Sequence, residues 1–187
     1  MANETKNNTP STHNEVKEEK RHNPTWEAAV KYQPAFTFVA PEMFDWTMRY
    51  LLDTNIFIYL VIDPDQLSRD VKAILDDYDN TFYVSSESVK ELIVGFNNGK
   101  LVSRFWDTAA KMVKDITNRY FIRILPVGEE HMDTYARLTL NLAEDHRDPS
   151  DHVIIAHAIT NRMPLVSSDR KFKFYEDQGL ELVFNEK

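Results

Sequence analysis

Acidic residues stand beside the ends of several apolar runs in this chain of 187 residues. Asp53 directly follows Tyr-Leu-Leu, and Asp169 follows Leu-Val-Ser-Ser. Glu91 lies about two turns into a stretch with helical spacing, and Asp151 opens another such stretch. Open parallel sheets bind ligands outside the carboxyl ends of their strands. We therefore expect these four side chains to converge on one rim of a parallel sheet, where carboxylate chemistry could take place.

Each of these acids also has an explanation that needs no chemistry. Asp53 is a residue type that favours capping the helix that follows it. Asp148 followed by proline is typical of a helix start, which would make Asp151 a first-turn acid that complements the helix dipole. Asp169 could be an ordinary turn residue, and Glu91 could be a solvated helix residue. Taken singly, none of the four decides between the two explanations.

The composition limits which other chemistry is available. The chain has no cysteine, which excludes a disulfide scaffold, a thiolate metal site and a cysteine nucleophile. Its 30 acidic and 22 basic residues give a net charge of -8, which argues against a protein that coats nucleic acid non-specifically but is compatible with a nuclease whose carboxylates hold metal. No apolar run approaches the roughly 20 residues needed to span a bilayer, and the polar N-terminus has no signal-peptide core. We therefore expect a cytoplasmic protein outside the membrane.

The elements that must position these acids are predicted from the alternation of short apolar runs with helical periodicity. This alternation is typical of an α/β domain with a parallel sheet. Strands are predicted over residues 50–52, 82–84, 121–125 and 165–167, with a weak one over 180–184. Helices are predicted over residues 56–62, 67–78, 86–97, 102–119, 128–145 and 150–161.

The N-terminal quarter has a different composition from the rest of the chain. Residues 1–24 contain one valine and no other large aliphatic or aromatic residue after Met1, so they cannot bury enough surface to offset the entropy of ordering. We predict a disordered or weakly ordered extension over residues 1–47 and one domain over 48–187. Met48 is an alternative start, in which case the preceding residues would not belong to the functional protein.

Several short motifs beyond residue 48 resemble those of the PIN-domain family. Leu-Leu-Asp-Thr-Asn stands at 51–55, and Ser85 is followed six positions later by Glu-Leu. His-Arg-Asp-Pro-Ser-Asp-His at 146–152 is similar to the His-Arg-Asp-Pro-Phe-Asp-Arg motif of the VapC-like branch, and Pro-Leu-Val-Ser-Ser-Asp-Arg-Lys-Phe at 164–172 is similar to its closing motif. Ser150 and His152 depart from that branch, as does Gly95 after the glutamate motif. The departures concern substrate handling more than metal binding.

The resemblance implies a site and a cofactor. Asn55 and Ser85 would orient the metal ligands without binding the metal themselves. Hard oxygen ligands without cysteine favour Mg²⁺ or Mn²⁺ over zinc. The family's acidic metal-binding positions correspond to Asp53, Glu91, Asp151 and Asp169.

The resemblance also implies a fold and an activity. The fold would be a three-layer α/β/α PIN-like domain with a central parallel sheet of four to five strands. The activity would be metal-dependent hydrolysis of RNA by an endoribonuclease, the toxin of a type II toxin–antitoxin pair, acting as a homodimer with a cognate antitoxin partner. Two alternatives remain: a PIN nuclease of RNA processing, and a catalytically silent module that binds RNA or protein. A phosphoryl-transfer enzyme with Asp53 as nucleophile is disfavoured, because Asn55 stands where a second acid would normally serve.

Three histidines lie near the acidic motif at positions 146, 152 and 157. Their spacing is not that of a zinc-binding helix with two histidines four residues apart, so we expect no metal role for them. Several cations also lie close to the four acids in sequence, including Lys90 and Arg170. They could contact an RNA backbone, and a solvated surface explains them equally well.

Overall fold

The computed structural model describes residues 47–187, in which the apolar runs form one parallel sheet. The strands lie in the order β3-β2-β1-β4-β5, and each neighbouring pair is parallel. All five strands therefore end at the same edge. The extension predicted over residues 1–47 lies, except for Thr47, outside the described residues. The strands are β1 (Arg49–Leu52), β2 (Thr81–Ser85), β3 (Arg123–Leu125), β4 (Leu165–Ser167) and β5 (Leu182–Phe184).

Six α-helices and three 3₁₀ segments connect the strands. No helix among residues 47–187 is long and apolar enough to cross a membrane. The 3₁₀ segments are Pro64–Gln66, Leu142–Glu144 and Arg170–Gln178. The helices are α1 (Thr54–Ile62), α2 (Arg69–Asp76), α3 (Ser86–Asn97), α4 (Ala109–Asn118), α5 (Glu129–Arg137) and α6 (Pro149–Asn161).

Adjacent residues of β1 bury opposite faces of the sheet, as strand geometry requires. Leu52 belongs to one buried apolar cluster, which it shares with residues from α1 to α4. Leu51 belongs to a second cluster with Ile154 and Ile155 of α6 and with Phe172 of the last 3₁₀ segment. Helices thus cover both faces of a five-stranded parallel sheet. The predicted three-layer α/β/α fold is confirmed.

Two predicted elements begin later than expected, one because of its backbone conformation and one because of a polar cap. The strand predicted over 121–125 begins only at Arg123, since Phe121 has a positive φ of 55° and an exposed side chain. The helix predicted over 102–119 begins at Ala109, because the side chain of Thr108 accepts a hydrogen bond from the backbone of Lys111 and caps the helix.

Two other predicted helices are shorter than expected. The helix predicted over 67–78 is α2, which begins after Ser68 because the hydroxyl of Ser68 accepts a hydrogen bond from the backbone of Val71. The helix predicted over 128–145 ends at Arg137, and Leu138 has an extended backbone. The remaining residues form the 3₁₀ segment Leu142–Glu144, which the side chain of Asn141 caps. Apolar spacing does not distinguish these breaks from a continuous helix.

Candidate metal centre

Asp53 lies at the end of β1 and is only 3% exposed. Both of its oxygens accept hydrogen bonds from the chain: Oδ1 from the backbone N of Thr54 at 2.7 Å, and Oδ2 from the hydroxyl of Ser167 at 2.7 Å. The pKa of Asp53 is raised to about 7, chiefly by burial and also by the carboxylates of Asp151 and Glu91, while the two hydrogen bonds oppose the rise. Asp53 is therefore a helix cap and a member of a negatively charged cluster at once.

Glu91 reaches the same rim from the second turn of α3. Its Oε2 accepts a hydrogen bond of 2.6 Å from the hydroxyl of Thr54, 37 positions away in the chain. Burial raises the pKa of Glu91, and the carboxylates of Asp148 and Glu87 add to that effect. Thr54 thus joins β1 to α3, because its backbone N contacts one predicted ligand and its hydroxyl contacts another.

Asp151 and Asp169 complete the rim. Asp151 is in the first turn of α6, and its pKa rises to about 7 through burial, with further contributions from Asp148, Glu91 and Asp169. Asp169 follows β4 and caps the segment Arg170–Gln178 by accepting a hydrogen bond from the backbone of Lys171 at 2.8 Å. The four predicted acids lie near enough for their charges to act on one another, since Glu91 and Asp151 raise the pKa of Asp53 and Asp169 raises that of Asp151. Single ligand atoms within 4.8 Å of each other are found for Asp151 and Asp169.

The two residues expected to orient these acids, Ser85 and Asn55, lie in different surroundings. Ser85 is buried and caps α3 by accepting a hydrogen bond from the backbone of Glu87 at 3.1 Å, and its hydroxyl lies 3.0 Å from Nδ1 of His157. Asn55 is exposed in the first turn of α1. Within residues 47–187, the side-chain hydroxyls that donate to Asp53 and Glu91 are those of Ser167 and Thr54, and their positions at a strand end and a helix start were the available signal.

Sequence reasoning also missed a histidine and two acids at the rim. His146 is 2% exposed, and its Nε2 lies 2.9 Å from Oδ2 of Asp151. Nε2 of His146 and single oxygens of Asp151 and Asp169 all lie within 4.8 Å of one another. Asp148 does cap α6, as predicted, but its charge and that of Glu87 also act on the cluster. Nothing in the spacing of the three histidines distinguishes His146 from the other two.

All three histidines near the acidic motif are buried, and their pKa values are lowered. The pKa of His157 is lowered to about 4, chiefly by burial and also by the neighbouring His131. Burial also lowers the pKa of His152, whose ring lies 4.8 Å from that of His146. Burial likewise lowers the pKa of His146, although the charge of Asp169 opposes the shift. All three therefore favour the neutral form.

Positive charge is present at the edge of the acidic rim. The exposed ammonium group of Lys90 forms an ion pair with Glu87, and it lies 3.4 Å from the hydroxyl of Ser150. That hydroxyl donates a hydrogen bond of 2.6 Å to Glu87. Lys171 lies close enough to lower the pKa of Asp151. Ser150, the residue that departs from the branch motif, thus belongs to a polar cluster beside the rim.

The donor set fits a hard divalent cation. Several carboxylates sharing one site can stay ionised only if a cation compensates their mutual repulsion, and otherwise their pKa values rise. The pKa values of Asp53 and Asp151 rise to about 7, mainly through burial and in part through the neighbouring carboxylates. Oxygen donors without a thiolate suit Mg²⁺ or Mn²⁺. The rim therefore has the ligand chemistry that such an ion requires.

The sheet order and the carboxylate rim define an α/β domain with a candidate metal centre at the carboxyl edge of its strands. The model of the PIN domain family matches residues 50–177, and the chain belongs to this family. The resemblance stated from the motifs is thus confirmed. A comparison with curated proteins gave no match.

Solved structures with a similar fold include several toxin–antitoxin complexes. VapBC2 from Rickettsia felis, bound to a DNA fragment from its promoter, is 23% identical with a TM-score of 0.55, covering 74% of this chain and 100% of the other. VapBC-1 from nontypeable Haemophilus influenzae is 24% identical with a TM-score of 0.54, covering 75% and 100%. DNA-bound VapBC from Salmonella typhimurium is 18% identical with a TM-score of 0.54, covering 74% and 98%. At these identities the likeness shows a shared fold.

Proposed function

We propose that this protein is a metal-dependent endoribonuclease that hydrolyses RNA phosphodiester bonds, with Asp53, Glu91, Asp151 and Asp169 as its Mg²⁺ or Mn²⁺ ligands. The observation that carries the proposal is the convergence of these four carboxylates on the rim of a PIN domain, with two pKa values raised to about 7. A module that only binds RNA or protein would have no need to keep four acids together, because burial and mutual repulsion make their charged forms unfavourable.

The chain's own residues account for how the site would work. A bound Mg²⁺ or Mn²⁺ would lower the pKa of a water molecule and neutralise charge on the leaving oxygen. Ser167 and Thr54 hold the carboxylate of Asp53 through both of its oxygens, and Thr54 also holds Glu91. Lys90 and Lys171 provide positive charge beside the acids, where the phosphates of an RNA backbone would otherwise be repelled.

The test is cleavage of single-stranded and structured RNA by the purified protein in Mn²⁺ or Mg²⁺. We expect Asp53→Asn and Asp151→Asn to reduce the rate by at least about 100-fold, because each removes a ligand charge. Asp65→Asn is the matched control, since Asp65 is an exposed aspartate whose side chain is 94% accessible. Cleavage that survives chelation of the metal, or either ligand substitution, would contradict the proposal.

We further propose that the biological role is that of the toxin in a type II pair, acting in the cytoplasm as a homodimer and held in check by an antitoxin. The support is the likeness of fold to VapBC structures. Induced expression should arrest growth, and Asp53→Asn should abolish the arrest. RNA cleavage without growth arrest would favour a role in RNA processing. RNA binding without cleavage would favour the silent module.

A further inference from the structure

A chain of hydrogen bonds runs from a buried backbone amide to the acidic rim. The backbone N of Asn141 lies 3.3 Å from the hydroxyl of Tyr175, and this hydroxyl lies 3.1 Å from Nδ1 of His146. Nε2 of His146 lies 2.9 Å from Oδ2 of Asp151. Tyr175 is 0% exposed and His146 is 2% exposed, so protein groups must satisfy these atoms.

The direction of each hydrogen bond follows from one fixed donor. A backbone N–H can only donate, so the hydroxyl oxygen of Tyr175 accepts from Asn141. The hydroxyl proton of Tyr175 is then free to be donated, and its acceptor is Nδ1 of His146. A neutral imidazole that accepts at Nδ1 carries its proton at Nε2. That proton points to Asp151, whose carboxylate accepts it.

The other neutral tautomer satisfies the same atoms less well. A proton on Nδ1 of His146 would give the hydroxyl of Tyr175 two donors, and the hydroxyl proton would lose its acceptor in this chain of contacts. Above about pH 7, where Asp151 is ionised, the lone pair of Nε2 would also face a carboxylate oxygen at 2.9 Å, which is repulsive. Buried polar groups without partners are costly, so the backbone amide of Asn141 selects the Nε2–H form.

We propose that His146 is a positioning residue: its Nε2–H fixes Oδ2 of Asp151, Tyr175 holds the imidazole in that tautomer, and Oδ1 of Asp151 is left for the metal. His146 is thus a donor to a ligand and not itself a ligand, although its Nε2 lies near both carboxylates. The role in metal binding rests on the proposed function, whereas the tautomer does not.

The surroundings keep the imidazole in place. The ring of His146 packs against those of His152, Phe172 and Tyr175, with centroids 4.8 to 5.6 Å apart. The side chain of Gln178 also contacts the backbone of Thr139 twice, at 2.8 and 3.0 Å. These contacts fasten the segment that carries Asn141 and His146 to the segment Arg170–Gln178. Asp169 caps that second segment, and His146 contacts Asp151. The same contacts therefore keep the predicted ligands Asp151 and Asp169 in place relative to each other.

The tautomer is measured first, in the full chain without metal, from the ring ¹⁵N chemical shifts of His146 at about pH 8 or above, where His146 is neutral and Asp151 is ionised. His146→Gln assigns the resonance. We expect the Nε2–H pattern in the wild-type protein and a shift toward a mixture of tautomers in Tyr175→Phe, which keeps the ring and removes the hydroxyl. A wild-type Nδ1–H pattern would overturn the proposal whether or not the protein binds metal.

The second measurement is Mn²⁺ affinity by calorimetric titration. We expect His146→Leu to weaken binding ~10–100-fold, the usual range for a lost partner of a ligand. We expect His146→Gln, which keeps an N–H near the position of Nε2, to recover part of the loss. His131→Gln is the control, because it removes another buried imidazole, which lies beside Asn161.

The two measurements separate the inference from the proposed function. Unchanged Mn²⁺ affinity in a folded His146→Leu variant would overturn the positioning role. So would ¹⁴N coupling from a directly ligated imidazole in the electron paramagnetic resonance spectrum of bound Mn²⁺. If the wild-type protein binds no Mn²⁺ at all, the proposed function fails, and the ¹⁵N pattern of His146 still decides whether the Tyr175 contact sets its tautomer.

Discussion

At the scale of single residues, Asp53 shows how much burial costs a carboxylate. Two hydrogen bonds favour its charged form, yet its pKa rises to about 7 because the side chain is buried and faces other acids. Asp151 has a pKa of about 7 for the same reasons. The rim therefore holds protons that the same side chains would release in water.

This protonation makes the stability of the metal-free protein depend on pH. Between the ordinary pKa of aspartate and about 7, these two carboxyls bind more protons in the folded state than in the unfolded state, so their contribution to stability falls as pH rises through that window. We expect their contribution to fall by an amount on the order of a few kcal/mol between about pH 5 and about pH 8, while the histidines with lowered pKa values act in the opposite direction below about pH 6.5. Denaturant unfolding in the presence of a chelator measures it.

Added Mg²⁺ should change this trend, since ionised carboxylates bind it and protonated ones do not. The gain in melting temperature on adding Mg²⁺ should therefore be larger at about pH 8 than at about pH 5. Asp53→Asn should reduce both the loss of stability with pH and the gain from Mg²⁺, whereas Asp65→Asn should change neither. The same dependence of stability on pH in Asp53→Asn and in the wild-type protein, both in chelator, would contradict the raised pKa of Asp53.

At the scale of elements, capping and chemistry share residues. Three residues at strand ends each cap the helical segment that follows in the chain: Asp53, Ser85 and Asp169. The capping explanations and the functional ones were therefore not exclusive. A residue at the carboxyl end of a strand faces both the free N–H groups of the next helix and the rim where ligands bind.

Two N-caps of the same kind should separate stability from metal binding. Thr108 caps α4 and Ser85 caps α3, the helix that carries Glu91. We expect Thr108→Ala to lower the free energy of unfolding by about 1 kcal/mol with no change in Mn²⁺ affinity. We expect Ser85→Ala to cost more, because it also removes the partner of the buried His157, and to weaken Mn²⁺ binding. Equal effects of both variants on Mn²⁺ affinity would contradict a link between α3 and the rim.

At the scale of the whole molecule, the five strands and the two apolar clusters described here lie within residues 49–184. β1 is the central strand, and the carbonyl of Met48 accepts a hydrogen bond of 2.8 Å from the backbone of Thr81. The residues immediately after the predicted extension thus form the beginning of the central strand.

Deletion of residues 1–47 tests the predicted domain boundary. We expect the shortened chain, beginning at Met48, to keep its melting temperature within a few degrees, since the five strands and both apolar clusters lie after residue 48. RNA cleavage and growth arrest should also persist. Deletion through Leu52, which removes β1, is the control that should unfold the domain. Loss of solubility or of activity in the first variant would show that the extension belongs to the functional domain.

The sequence by itself determined the fold class, because it depends on the alternation of short apolar runs with helical periodicity. Asp53, Glu91, Asp151 and Asp169 were predicted as a site from their places beside strand ends and in helices together with the resemblance to the PIN-domain family. It did not determine the helix starts set by Thr108 and Asn141, where a single polar contact competes with apolar spacing. Only the tertiary structure decided which groups hold the acids. Ser167 meets Asp53 across 114 positions, and Tyr175 meets His146 across 29. Such contacts depend on sheet register and helix packing, which bring together side chains that no local pattern relates.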